Sequence, residues 1–155
     1  MTSKIYPPAS TDRQARLAPV EVLPGIWISG APNPEELLAI GPNKIVCLCR
    51  TPVATGFAET LQLPFPFWEM SAARIEDTLA RIVDFLQKSD AGVSLIHCRL
   101  GRDRSGFVAL SLLLRSGDSL SAAIARYKRD TRRPLPRFGA IHLLRTIGRP
   151  SHAQL

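Results

Sequence analysis

The stretch Ser94–Phe107 reads SLIHCRLGRDRSGF. It sets a thiol, Cys98, six positions before a guanidinium, Arg104, with Gly101 between them and Arg99 and Arg102 alongside. A free cysteine has a pKa of about 8.5, so only a few per cent is thiolate at neutral pH. Peptide N–H groups and guanidinium groups around the sulfur favour the charged form, and predict a pKa lowered by units. The same groups bind an anion. The N–H groups of Arg99, Leu100, Gly101, Arg102 and Asp103, with those opening the next helix, would converge on phosphate oxygens. Gly101 permits the tight turn, and Arg104 offers a planar fork to two oxygens. A loop of this kind binds a phosphoryl group and aims a nucleophile at its phosphorus, which is covalent catalysis of phosphate-ester hydrolysis.

Such a loop must be held by a strand and a helix. VSLIH (93–97) is a short, almost wholly apolar run, as expected at the centre of a sheet covered on both faces. SGFVALSLLLR (105–115) reads as a buried helix ended by Gly117. The site then lies beyond the carboxyl end of a strand, where open α/β sheets bind ligands. Upstream, VEVLPGIWISG (20–30) reads as two strands around a Pro-Gly turn. NPEELLAIG (33–41) reads as a helix with Asn33 as N-cap, Pro34 at the first position and Gly41 past the end. KIVCLC (44–49) is a buried strand, with Cys47 and Cys49 directed to one face and read as buried small hydrophobes. A loop with Pro52 and Gly56 follows, and LQLPFPF (61–67) is an extended segment that its prolines confine to irregular structure or a sheet edge. RIEDTLARIVDFLQKS (74–89) is amphipathic, with Ile75, Leu79, Ile82, Val83 and Leu86 on one face. SLSAAIARYKR (119–129) turns Leu120, Ala123, Ile124 and Tyr127 inward, and FGAIHLLRTIG (138–148) closes the series. Strands alternating with helices argue an α/β fold. The boundaries read as an irregular lead-in over 1–19, one domain over 20–150 and a tail over 151–155.

At 155 residues the chain can bury a sizeable core. No apolar run approaches the roughly 18 residues of a membrane span, and the N-terminus lacks the apolar region of a secretory signal. Three cysteines with no CxxC spacing suggest no zinc site, and a reactive thiol suits the reducing cytoplasm. The net charge of +7 is uneven: residues 1–97 hold 8 Lys+Arg and 10 Asp+Glu, whereas residues 98–155 hold 12 and 3. The basic half begins at the thiol, which predicts an anionic partner: phosphate groups, an acidic membrane surface or, less strongly, nucleic acid. The run Arg126, Lys128, Arg129, Arg132, Arg133 and Arg137 would suit RNA, although only Tyr127 is interleaved for stacking.

HCRLGRDRSG resembles the HCxxGxxR[ST] signature of the cysteine-dependent protein phosphatases, their dual-specificity branch in particular. The resemblance extends from about residue 20 to 133. It implies a central mixed, largely parallel sheet flanked by helices and a reaction through a phosphocysteine, with no cofactor or metal. It further implies Cys98 as nucleophile, Arg104 on the phosphoryl oxygens, Ser105 assisting departure of the thiolate, and His97 orienting the cysteine from beneath. His97 has no visible co-ligand in the sequence. Family members place an aspartic general acid about thirty residues before the cysteine; here Glu69 stands there, one methylene longer. Asp103 is the second candidate, as in the myotubularin-like and Sac-like enzymes that this loop also resembles, or else a helix cap. Arg99 and Arg102 match the basic loop positions of phosphatase-and-tensin-type enzymes. They imply phosphoinositide or other polyanionic substrates, with phosphoprotein as the alternative and an RNA 5′-phosphate as a further one.

Overall fold

The computed structural model describes residues 16–51, 58–88 and 92–147. Among these residues five strands form one sheet: β1 (Val20–Leu23), β2 (Ile26–Ser29), β3 (Lys44–Cys47), β4 (Glu59–Gln62) and β5 (Ser94–His97). Their spatial order is β1-β2-β5-β3-β4. Only β1 runs antiparallel, against β2 across the Pro24-Gly25 turn; the other pairs are parallel. Every residue of β3 and β5 is buried, which is why both read as unbroken rather than alternating runs. β4 is an edge strand and mostly exposed, and the proline-broken segment that follows stays beside the end of β3, with Leu63 N on Cys47 O at 2.9 Å and Phe65 N on Leu48 O at 3.2 Å.

Among the described residues five α-helices accompany the sheet: α1 (Pro34–Ile40), α2 (Ala72–Gln87), α3 (Arg104–Arg115), α4 (Leu120–Thr131) and α5 (Ala140–Ile147). The cap of α1 is as expected: Asn33 accepts from the Glu36 N–H, Glu36 accepts from the Asn33 N–H, and Gly41 closes the helix in the left-handed region. α2 begins two residues earlier than the periodicity suggests, because Ser71 accepts from the Arg74 N–H. Phe85 joins Ile75, Leu79, Ile82 and Val83 in its buried stripe, and Leu86 is half-buried. At its far end the buried Lys44 amine donates to the carbonyls of Leu86 and Lys88, supplying a cation where the helix leaves carbonyls unpaired.

α3 is buried from Ser105 to Arg115 and contacts β2, β5, α2, α4 and α5. A helix apolar all round belongs inside. Each fully buried leucine or phenylalanine there contributes about 1.5–3 kcal/mol relative to exposure. Phe107, in its first turn, stacks on Phe67 at 4.6 Å and meets Phe65 edge-on at 5.4 Å. Those rings pin residues 65–69, including the 3-10 turn Phe67–Glu69, beside the start of α3. The lead-in is already in place at Arg16, which pairs with Glu36 at 2.9 Å. The loop around Pro52 and Gly56, and the tail, lie outside the described residues. Among the described residues no helix is long and apolar enough to cross a membrane.

Candidate active site

The loop 98–103 lies at the carboxyl end of β5, flanked by the ends of β2 and β3. The Cys98 N–H donates to Ser29 O at 3.3 Å, carrying the β2–β5 ladder one residue into the loop. Three successive loop carbonyls are then taken up from outside. Arg99 O accepts from the Ala31 N–H at 3.0 Å, Leu100 O from the Leu17 N–H at 2.7 Å, and Gly101 O from Arg133 Nη1 at 2.8 Å. In a trans peptide the N–H points opposite to the C=O. Anchoring those carbonyls therefore turns the next N–H groups, of Leu100, Gly101 and Arg102, to the other side. The sulfur lies on that side: Cys98 Sγ accepts from Gly101 N at 3.3 Å and from Ser105 N at 3.4 Å, and its thiol donates to Ser105 Oγ at 3.4 Å. Cys98 is only 1% exposed.

Gly101 has φ +83°, and a Cβ there would stand 2.4 Å from Gly30 N. A Cβ on Gly30 would stand 2.9 Å from Arg99 O. The loop and the β2 end approach so closely that neither position has room for a side chain.

Arg104 is half-buried, and its Nη1 donates to Leu48 O at 3.4 Å, past the end of β3. Arg102 is half-buried, with Nε on Leu135 O at 3.2 Å, while Arg99 is exposed. Asp103 immediately precedes α3 but makes no side-chain cap. Instead Oδ1 accepts from Arg137 N at 2.8 Å and Nε at 3.1 Å, and Oδ2 from Arg137 Nη2 at 2.8 Å. Glu69 is exposed, on the turn that Phe67 pins against α3, and its carboxylate has no hydrogen-bond or ion-pair partner among the described residues.

The basic run is largely employed within the fold. Arg133 is buried on the loop, Arg137 holds Asp103, Arg126 lies 3.5 Å from Asp118 and 3.7 Å from Asp130, and Arg129 also contacts Asp130. Tyr127, the one aromatic the sequence offered for base stacking, is 1% exposed, and burial pushes its hydroxyl up to about 12. Two aromatics that the sequence reading passed over are exposed instead. Trp68 and Phe138 meet at 5.0 Å between ring centres, with the Arg137 guanidinium 5.2 Å from the Phe138 ring. Phe138 has φ +60°, an uncommon conformation for a bulky residue and one that gathers at functional sites.

His97 differs from expectation. It is fully buried, and neither ring nitrogen has a hydrogen-bond partner among the described residues. Nor is it without possible co-ligands: the thiols of Cys47 and Cys49 and a ring nitrogen of His97 all lie within 4.8 Å of one another. The β3–β5 register, which places Cys47 opposite His97, is the cause, and spacing along the chain could not reveal it. The two thiols titrate as a pair. A hydrogen bond from Cys49, helped by the neighbouring His97, lowers the Cys47 thiol, and the same bond together with burial pushes the Cys49 thiol up.

Comparison with known proteins bears on the fold and on the segment that carries the loop. Residues 62–133 match the tyrosine phosphatase family. Human DUSP28 superposes with a TM-score of 0.69 at 22% identity, over 86% of this chain and 95% of that one. A one-residue variant of the same human protein gives 27% identity and a TM-score of 0.66, over 84% and 93%. Tk-PTP in its active form gives 22% identity and a TM-score of 0.68, over 84% and 95%. A search of the curated proteins finds no significant match. The loop signature, the match of residues 62–133 that contains it and the shared mixed-sheet architecture are together consistent with a cysteine-dependent phosphatase of the dual-specificity type, and support a phosphoric monoester hydrolase.

Proposed function

We propose that this protein hydrolyses phosphate monoesters through a phosphocysteine formed on Cys98, within one domain that includes the anchoring segment from Arg16. The observation that carries the reading is the set of anchored carbonyls, which leaves inward N–H groups around a buried sulfur. Cys98 Sγ attacks phosphorus, an S–P bond forms, and the ester P–O bond breaks. Arg104 and the loop N–H groups balance the charge on the three non-bridging oxygens. The leaving oxygen takes a proton from a carboxylic acid, which we assign to Glu69. Asp103 is the less suited group, because both its oxygens are engaged by Arg137. The resulting carboxylate accepts a proton from water as that water attacks phosphorus. The S–P bond then breaks, and the Ser105 hydroxyl, 3.4 Å away, donates to the departing sulfur. Three unpaired cysteines fit a reducing, cytoplasmic setting.

For substrate we favour molecules with charge beyond the scissile phosphate, phosphoinositides first, because Arg99 and Arg102 sit within the loop itself. The competing reading is a phosphoprotein, favoured by the exposed Trp68–Phe138 pair, which could receive a peptide's apolar side chains. The test has two arms. Cys98→Ser should abolish turnover while inorganic phosphate still binds; residual turnover in that variant overturns the mechanism. kcat/KM is then compared for a phosphoinositide and a phosphotyrosine peptide, with native protein and with Arg99→Ala/Arg102→Ala. The lipid reading requires a larger loss on the lipid, weakening as salt rises. Equal losses, or a native preference for the peptide, assign the protein to phosphoprotein substrates.

A further inference from the structure

We infer that Cys47, Cys49 and His97 form a zinc-binding site at the adjoining ends of β3 and β5. The donor set, two thiols and one imidazole, is the soft sulfur–nitrogen combination that Zn²⁺ takes with a fourth position left for water. Tetrahedral Zn²⁺ with Zn–S of about 2.3 Å and Zn–N of about 2.0–2.1 Å spreads its ligand atoms about 3.5–3.8 Å apart. The three donors already lie within 4.8 Å of one another, so side-chain adjustment alone can close the site.

Three further observations point to a ligand. His97 is a fully buried imidazole with neither nitrogen hydrogen-bonded among the described residues, whereas buried polar groups are ordinarily satisfied. A metal bond would satisfy one nitrogen. The contacts of the Cys47 thiol to backbone carbonyls are long, to Cys49 O at 3.8 Å and Thr51 O at 3.7 Å, so a metal displaces little there. The charge also balances: any proton still on the two sulfurs goes to solvent on binding, and Zn²⁺ with two thiolates and a neutral imidazole carries no net charge. A neutral assembly avoids the large cost of burying an unpaired ion. Cys49, the one ligand that is only half-buried, is the point of entry.

The test excludes the nucleophile as a ligand by using full-length Cys98→Ser protein, reduced and metal-free, titrated with Co²⁺ and then with Zn²⁺. One equivalent of Co²⁺ should give thiolate-to-cobalt charge-transfer and tetrahedral d–d bands that Zn²⁺ abolishes, and Zn²⁺ should raise Tm. Adding Cys49→Ser or Cys49→Ala should weaken binding by about 100-fold or more, beyond the 10–100-fold of losing an outer partner, and remove the Tm rise. Absence of the bands in Cys98→Ser protein, or bands unchanged by either Cys49 substitution while circular dichroism shows a native fold, overturns the site. No arm reads turnover, so this result stands apart from the phosphatase assignment.

Discussion

The back and the rim of the phosphate loop are built differently. At the back, backbone bonds from Leu17, Ala31 and Ser29 and the buried Arg133 hold a segment with no room for one extra methyl at Gly101. At the rim, Glu69, Trp68 and Arg99 are exposed, and Phe138 is 53% exposed on a strained backbone. The contrast separates two tasks. Holding a phosphoryl group calls for dipoles fixed in advance, because catalysis gains nothing from donors that must reorganise at the moment of reaction. Choosing the molecule that carries the phosphoryl group calls for surface. Changes at the back should therefore affect every substrate alike, and changes at the rim should discriminate among them.

The largest effect expected outside Cys98 is at the back. Gly101→Ala forces a Cβ to 2.4 Å from a backbone nitrogen at φ +83°. It should cost on the order of 1–3 kcal/mol from backbone strain alone. Thermal unfolding measures that loss, and inorganic phosphate affinity should fall with it. Native-like phosphate binding in Gly101→Ala would break the comparison. Next comes the rim acid. Glu69→Gln should slow alkyl phosphates by about 10²–10⁴ and activated aryl phosphates far less, since only a poor leaving group needs the proton. If Asp103→Asn shows that pattern instead, the acid belongs to the back and the division must be redrawn. The smallest effect is Arg133→Met, which leaves Gly101 O without its donor but introduces no clash, and should cost about 1 kcal/mol of stability, the low end for an unsatisfied buried acceptor. Its losses in kcat/KM should be equal for lipid and peptide substrates. Unequal losses would show that a residue buried at the back reaches the choice of substrate.

What the sequence made legible follows the same division. The strand, loop and helix around Cys98, the capped α1 and the stripe of α2 all rest on neighbours within four residues, where periodicity and capping chemistry operate. The partners of the loop do not. Arg133 reaches back to Gly101 and Arg137 to Asp103, so residues that read as a basic surface for a polyanion are instead fastenings. The same blindness hid the thiol pair beside His97. It depends on β3 lying next to β5 in a particular register, and sheet order is not encoded in the period of either strand. Asp103 was read as either an acid or a cap, and its engagement by Arg137 belongs to neither alternative.

The bonds that close the loop also bear on the order in which the chain becomes native. Strand, loop and helix are contiguous, yet the loop's last fastenings come from Leu17, roughly 80 residues upstream of Leu100, and from Arg133, roughly 30 residues downstream of Gly101. Contacts between distant residues require loop-closure entropy to be overcome first and form slowly. During synthesis the signature emerges well before Arg133 does. A ribosome-bound chain ending near residue 120 would contain every residue of the motif and still lack a working anion cradle, so competence to bind phosphate should arrive late and report that both flanks have docked.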